Sequence, residues 1–478
     1  MSTMILMSYR LTGRAPDARV SFLPPFPFRF LVYWLLLGAV ALGALPGCVH
    51  ERRPRSAGSI AGETAGRLPI REIRPQDWED RFEPGFLPRL QEAPGEKVFR
   101  VLVDLDQQVD LFEMGRRFEA KGTPKKERRQ IVISALETLA EKRQALLMPS
   151  LEELQAKGSL DYIRPVAIVN RLILEGTASG ILELPSLPGV AFIRPDRSSE
   201  PTGGRSSAEP PLQGAGLGET FVSWGVEAIG VDDLWRQGLH GEGVIVGSID
   251  TGVMGTHEQL SGRNLPFPRG WYDPVEGRAE PYDNHGHGTS VLSLAVGNNL
   301  RGRIISPAPA AQWTHALGNW HNYYSRSRMT LAADWMLRIG RPDVIINAWS
   351  DPSAPCGNFD LLFINAWKAA EMFVIFPAGN SGPEPGSDES PANLSGTYPD
   401  GRAVFSVGAV QYRTDRYSPL EISSRGPSSC SGKPFPTVSA PGSGLPFAFP
   451  PSTDNYGTGD GTSLAAGITG GAVALLIQ

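Results

Sequence analysis

Four residues stand where an apolar run meets glycine and could act together: Asp250, His287, Asn380 and Ser463. Ser248-Ile249-Asp250-Thr251-Gly252 closes the apolar run 243–250. An acid at the end of a buried strand can be held and aimed by the turn after it, or it can simply cap that turn. The wording also suits an aspartic protease, but that chemistry needs two carboxylates sharing a proton, and no second Asp-Thr-Gly or Asp-Ser-Gly occurs. Asn284-His285-Gly286-His287-Gly288-Thr289-Ser290 runs into VLSLAV, which predicts a helix with His287 at its start. Imidazole titrates near neutrality, so it can accept and return a proton. Two histidines at i and i+2 could instead ligate a metal, although no third ligand follows at suggestive spacing. His285 and His257 read as structural. In Phe376-Pro377-Ala378-Gly379-Asn380-Ser381-Gly382 the Asn amide can donate into a cleft, or serve as an ordinary turn residue. In Gly461-Thr462-Ser463-Leu464-Ala465-Ala466 the serine is either a helix N-cap or a nucleophile whose own N–H faces a developing anion.

Such groups need rigid elements to position them. Buried-type strands are expected at 243–250, 343–350, 372–380 and 403–410, with helices over 329–340 and 361–371 between them. Apolar strands alternating with helices predict an α/β domain with a mainly parallel central sheet, and such sheets gather sites at the carboxyl ends of their strands. An earlier stretch differs. VFRVLVDLD at 98–106 predicts a strand. Thr123-Pro124 can start a helix whose Val132, Leu136 and Leu139 share one face, and 166–176 is β-rich. Residues 181–196 predict a short helix and then a strand. This order suits a small α+β, ferredoxin-like module.

The chain has 478 residues, too many for one core. A net charge of −5 gives no reason to propose nucleic acid as a partner. Residues 30–45 are apolar and follow Arg10, Arg14, Arg19 and Arg29, the pattern of an export signal. The run is short for a span and ends Leu45-Pro46-Gly47-Cys48, similar to a bacterial lipobox in which Cys48 is lipidated. The domain reading is therefore 1–47 signal, 48–96 tether, 97–196 module, 197–220 exposed linker and 221–478 catalytic domain. Cys356 and Cys430 are the two other cysteines, and an exported domain favours their pairing.

The order Asp, His, Asn, Ser, with SSRGP at 423–427 and VSAPG at 438–442, resembles the subtilisin family, in particular its bacillopeptidase F-like members. The resemblance covers about residues 221–478. It implies a serine endopeptidase with Asp250, His287 and Ser463 as a triad. It also implies an oxyanion hole from Asn380 and the Ser463 N–H, and substrate contacts at Trp349, Ser350, Ala378 and Gly379. It implies no required cofactor; calcium is frequent in the family, but no ligand set is recognisable here. The 97–196 module resembles subtilase propeptides, which fold against the protease and block its cleft. Implied partners are peptide or protein substrates, the chain's own propeptide, and a membrane surface reached through the lipid on the periplasmic or extracellular side; the alternative, with an ordinary signal peptide, is a secreted protein. The chain departs from the family at Gly467, where proline is usual, and at Asn347-Ala348-Trp349-Ser350-Asp351, where a glycine is usual. With Gly470 and Gly471 in the same helix, a loosened Ser463 is expected. The chain stops 15 residues past Ser463, where relatives usually continue with more helix, so either a fragment or a trimmed C-terminus is expected. A catalytically inactive surface scaffold is the reading from a different class.

Overall fold

The computed structural model describes residues 68–73, 77–196, 198–199, 220–320, 323–350, 356, 361–394 and 404–478. The leader, Cys48 and nearly all of the 197–220 linker lie outside the described residues.

The N-terminal module is one antiparallel sheet with helices. Its strands are β1 (Val98–Leu105), β2 (Leu160–Val166), β3 (Arg171–Thr177) and β4 (Val190–Pro195), in the order β2-β3-β1-β4. Its longer helices are α1 (Phe86–Gln91), α2 (Leu111–Lys121) and α3 (Lys125–Ala156). Alternate strand residues face opposite ways. Val101, Val103, Leu172 and Leu174 pack on Leu147 and Leu151 of α3, whereas Leu102 and Ile173 face the second domain. The expected β-rich stretch 166–176 is the end of β2, a turn and most of β3. The expected tether at 48–96 needs correction in its later part. Ile70–Glu72 pairs with Gln107–Val109, and Phe82, Phe86 and Leu90 are buried in the module core. Phe86 and Leu90, four apart, share one face of α1, whereas Phe82 is extended and bridges to Ile193; the surrounding Pro, Gly and charge obscured both. The module thus begins near residue 68, ahead of the expected 97.

The second domain has a central sheet built from β6 (Ile245–Asp250), β7 (Trp271–Tyr272), β8 (Gln312–Leu317), β10 (Val344–Ile346), β11 (Phe373–Pro377), β12 (Phe405–Arg413), β13 (Arg416–Pro419) and β14 (Val438–Pro441). The order is β7-β8-β6-β10-β11-β12-β13, with β14 also paired to β12. Every pairing is parallel except β12 with β13. Strand β6 lies between β8 and β10, so the chain order reverses at β6 and Asp250 sits at that switch point. The strands sort their residues by parity. Val246, Val344, Ile346 and Ile375 enter the layer holding α4 (His287–Val296) and α7 (Thr462–Ile477). Ile249, Ile345, Val374 and Phe376 enter the layer holding α5 (Arg326–Trp335) and α6 (Leu361–Ala369).

The module docks on that second layer. Val132, Leu136 and Leu139 of α3 share a core with Met329, Trp335, Phe363 and Trp367. Arg129 donates to the carbonyls of Ala370 (3.3 Å), Arg341 (2.8 Å) and Pro342 (3.0 Å). Fully buried Arg171 pairs with Asp104 inside the module and donates to Thr330 Oγ1 across the junction (3.1 Å). Burial would raise the Asp104 carboxyl, but Arg171 and Arg194 outweigh it and hold it below the ordinary range. Asp196, just past β4, accepts from Ser325 Oγ (3.1 Å), Ser327 N (3.0 Å) and Ser327 Oγ (2.6 Å) at the N-terminus of α5. It places a negative charge where the helix dipole and its spare N–H groups favour one. Two residues on, β5 (Ser198–Ser199) pairs antiparallel with β9 (Tyr323–Ser325).

The glycines of α7 do not loosen it. The helix runs unbroken from Thr462 to Ile477. A Cβ on Gly467 would meet Val291 O at 2.6 Å, and one on Gly471 would meet Ala295 O at 2.3 Å. Val291 and Ala295 are four and eight residues after His287, and Gly467 and Gly471 are four and eight after Ser463. Helices α4 and α7 therefore run parallel in register, with Ser463 level with His287. Cys356 and Cys430 are bonded, with Cα atoms 5.3 Å apart. Closing a 74-residue separation contributes about 4 kcal/mol in the chain-entropy model.

Helix propensity alone makes Gly471→Ala stabilising by about 1 kcal/mol. The approach of Ala295 O reverses the sign, and the variant is expected to lose about 1–3 kcal/mol. Thermal unfolding checks this: a higher Tm would show that the helices are not in close contact here.

Candidate active site

Asp250 is wholly buried at the end of β6, and its Oδ1 sits 2.7 Å from His287 Nδ1. The same oxygen accepts from Thr251 N at 2.7 Å. The carboxylate is thus fixed by the strand behind it and the turn after it. His287 opens α4 and keeps its side chain partly exposed, so its outer nitrogen can meet a reactant.

A residue that sequence reasoning missed holds this histidine loop. Asp283 accepts at one oxygen from Thr251 Oγ1 (3.0 Å), His285 N (3.0 Å) and Gly286 N (2.7 Å). At the other it accepts from Thr289 N (2.9 Å) and Thr289 Oγ1 (2.6 Å). Burial opposes its charge, but these donors prevail and its carboxyl lies below the ordinary range. An acid just before a predicted helix start was the available signal. Thr251 Oγ1 also accepts from Gly288 N at 3.0 Å, so Asp250 and His287 hang on one network.

Burial pulls the His287 imidazole down, while Asp250 and Asp283 pull it up and win, leaving it above its ordinary 6.5. His315 lies behind the pair, its ring 5.8 Å from that of Trp271. There burial dominates the pull of Asp250 and Asp283 and pushes the ring down to about 4, so it stays neutral near pH 7. His257 is buried, with Nε2 2.8 Å from Asn455 O and Nδ1 accepting from Gln259 N, a structural role. Among the described residues no group of three or more His, Cys, Asp or Glu is arranged to hold a metal.

Ser463 stands in the first turn of α7, and its Oγ donates to Ala348 O at 3.4 Å. Asn380 follows β11. Its Oδ1 accepts from Thr462 N and Thr462 Oγ1, both at 3.0 Å. With the oxygen so occupied, Nδ2 is left to donate beside Ser463. Thr462 is a second residue missed from sequence.

The four expected substrate contacts divide. Ser350 and Gly379 lie at the exits of β10 and β11, beside Ala348 and Asn380. Ala378 is buried in the strand exit. The Trp349 side chain instead turns into the core, edge-on to Phe376 at 5.2 Å, so only its backbone remains for the cleft. The strand expected at 343–350 is formed only over Val344–Ile346, and in the extension beyond it Ala348 enters the layer of α4 and α7 while Trp349 enters that of α5 and α6.

Residues 241–478 match the model of the subtilase family. The chain belongs to that family. It is 30% identical to bacillopeptidase F of Bacillus subtilis over 388 residues, covering 74% of this chain and 26% of the relative. It is 28% identical to the serine protease AprX of Bacillus subtilis, covering 54% and 63% of the two chains. Subtilisin DY of Bacillus licheniformis is 29% identical, with 54% and 85% covered. The chain thus spans about a quarter of the length of bacillopeptidase F and less than two thirds of AprX. The α/β architecture expected from sequence agrees with this membership. Among the described residues of this subtilase, no helix is long and apolar enough to cross a membrane.

In a subtilase that uses His287 as a base, its proton must leave before it can work. The acid limb of kcat/KM should therefore rise with pH through a midpoint above 6.5. A midpoint at or below 6.5 in a pH–rate profile would show that Asp250 and Asp283 do not govern the ring.

Proposed function

We propose that this chain is a serine endopeptidase acting through Ser463, His287 and Asp250. The observation that carries the reading is the Asp250–His287 hydrogen bond of 2.7 Å, set beside the start of a helix that runs in register with the one His287 opens. Ser463 Oγ attacks the peptide carbonyl while His287 takes its proton and then gives it to the leaving amine. Asp250 holds the ring tautomer and stabilises its cation. Asn380 Nδ2 and the Ser463 N–H receive the oxyanion, and losing one such donor costs about 10²–10³ in rate. This division of roles is that of the subtilisins and comes to the chain by family membership.

The 68–196 module is proposed to be an inhibitory propeptide. Its docking on α5 and α6, the Asp196 cap and the β5–β9 pairing support this, because they direct its C-terminal end along the catalytic domain. Maturation would cut within 197–220. The leader, with Cys48 as its lipidated residue, is proposed to export the chain and tether it to a membrane surface.

A fluorophosphonate probe tests the activity. Labelling of the processed protein that disappears in Ser463→Ala is expected, and absence of labelling after the module is removed would favour an inactive scaffold. Fractionation tests the tether: Cys48→Ala should move the protein from membranes to the soluble fraction, and unchanged membrane association would count against lipidation.

A further inference from the structure

His315 is a wholly buried imidazole that the triad does not use. Strands β8, β6 and β10 align Trp313 with Val246 and Val344 in one row, and His315 with Ser248 and Ile346 in the next. Asp250 stands two residues beyond Ser248 on β6, and alternation puts both side chains on the face that carries α4. The first row is apolar. The second sets an imidazole and a hydroxyl directly behind the catalytic acid.

These groups meet at the first turn of α4. A Cβ on Gly288 would lie 3.0 Å from Asp250 Cβ and 3.1 Å from His315 Cε1, so the two side chains converge on that glycine. Asp250 spends Oδ1 on His287 and Thr251. Its Oδ2 is buried, as are both ring nitrogens of His315 and the Ser248 hydroxyl. Among the described residues none of these atoms has a hydrogen-bond partner. Buried polar groups are costly when left unpaired, and a cluster of them on one face is the setting in which protein interiors hold an ordered water.

We infer that His315 is a positioning residue of the triad, donating to Asp250 Oδ2 through one ordered water shared with Ser248 Oγ. This rests on the endopeptidase reading and deepens it. The donor must be neutral, because a second imidazolium would compete with His287 for the same carboxylate. The surroundings of the ring provide this. Strand β7 covers it with Trp271, ring to ring at 5.8 Å, and α4 covers it with the Gly288 backbone. The charges that reach it are those of Asp250 and Asp283, and burial outweighs their pull.

The effect on His287 has a definite sign. With Oδ2 answered by His315, Asp250 stays ionised beside a neutral His287, the form that takes the Ser463 proton. Without that donor, the His287 proton becomes the main answer to a buried charge, and the ring releases it only at higher pH. Asp283 keeps its own donors in either case. His315 therefore moderates the upward pull of Asp250.

The test measures the pH dependence of kcat/KM on a peptide substrate, using the full chain after self-processing. His315→Leu removes both nitrogens at similar bulk. It should move the midpoint of the acid limb up by about one pH unit, a tenfold loss of kcat/KM below the midpoint. His315→Asn, which retains an N–H donor, should restore the wild-type midpoint. Ser248→Ala should move it in the same direction as His315→Leu, by less. A packing defect alone would lower the rate without moving the limb. An unmoved midpoint in folded His315→Leu, or an equal shift in His315→Asn, therefore overturns the inference and leaves the endopeptidase reading intact. Should His315→Leu fail to fold, an unmoved midpoint in Ser248→Ala overturns it instead. A wild type that cleaves no peptide and takes no fluorophosphonate label overturns both.

Discussion

The close parallel contact between α4 and α7 is the constraint on which the site depends. His287 and Ser463 are 176 residues apart in sequence. They become level because two helices lie side by side with glycine backbone against carbonyl backbone at Gly467 and Gly471. A side chain at either position would push the helices apart by more than a hydrogen bond can absorb. The rest of the catalytic domain serves this alignment. The sheet beneath carries Asp250 to the same edge, Asp283 fixes the turn into α4, and Thr462 turns the Asn380 amide.

The junction between the module and the catalytic domain is built like an interior. It joins apolar faces of α3, α5 and α6, and its polar groups are matched one to another. Arg171 is wholly buried, and replacing only one partner of its pair with Asp104 would strand a charge away from water. Arg129 satisfies three carbonyls at the ends of helices and loops, which a shorter or uncharged side chain could not reach. Such a junction favours one docked orientation over others.

Much of this was legible in the residues. The central strands are apolar runs, and their helices carry ordinary periodicity, so the α/β class and the positions of Asp250, His287, Asn380 and Ser463 followed from local pattern and family wording. What escaped was long-range. Nothing local distinguishes a helix glycine that weakens from one that admits a neighbour, so Gly467 read as a defect. Asp283 acquires its partners only when the turn into α4 folds back on it. Trp349 was expected to meet substrate from the family resemblance, but its side chain packs inward against Phe376. The helix at Phe86–Gln91 lay in a stretch whose composition resembled a tether, and its apolar residues find a core only against β1 and β4.

The Asp196 cap has one further meaning. All the described contacts that hold the module lie at or before residue 199 on one side and after residue 220 on the other. Scission between them alters covalent connectivity without subtracting a single one of those contacts. The severed module would begin its independent existence as a tightly seated ligand, still completing the first turn of a helix it no longer belongs to. If the module is a propeptide, liberation of the cleft is then a matter of dissociation or of digestion of the guest, a step separate in kind from the cut itself.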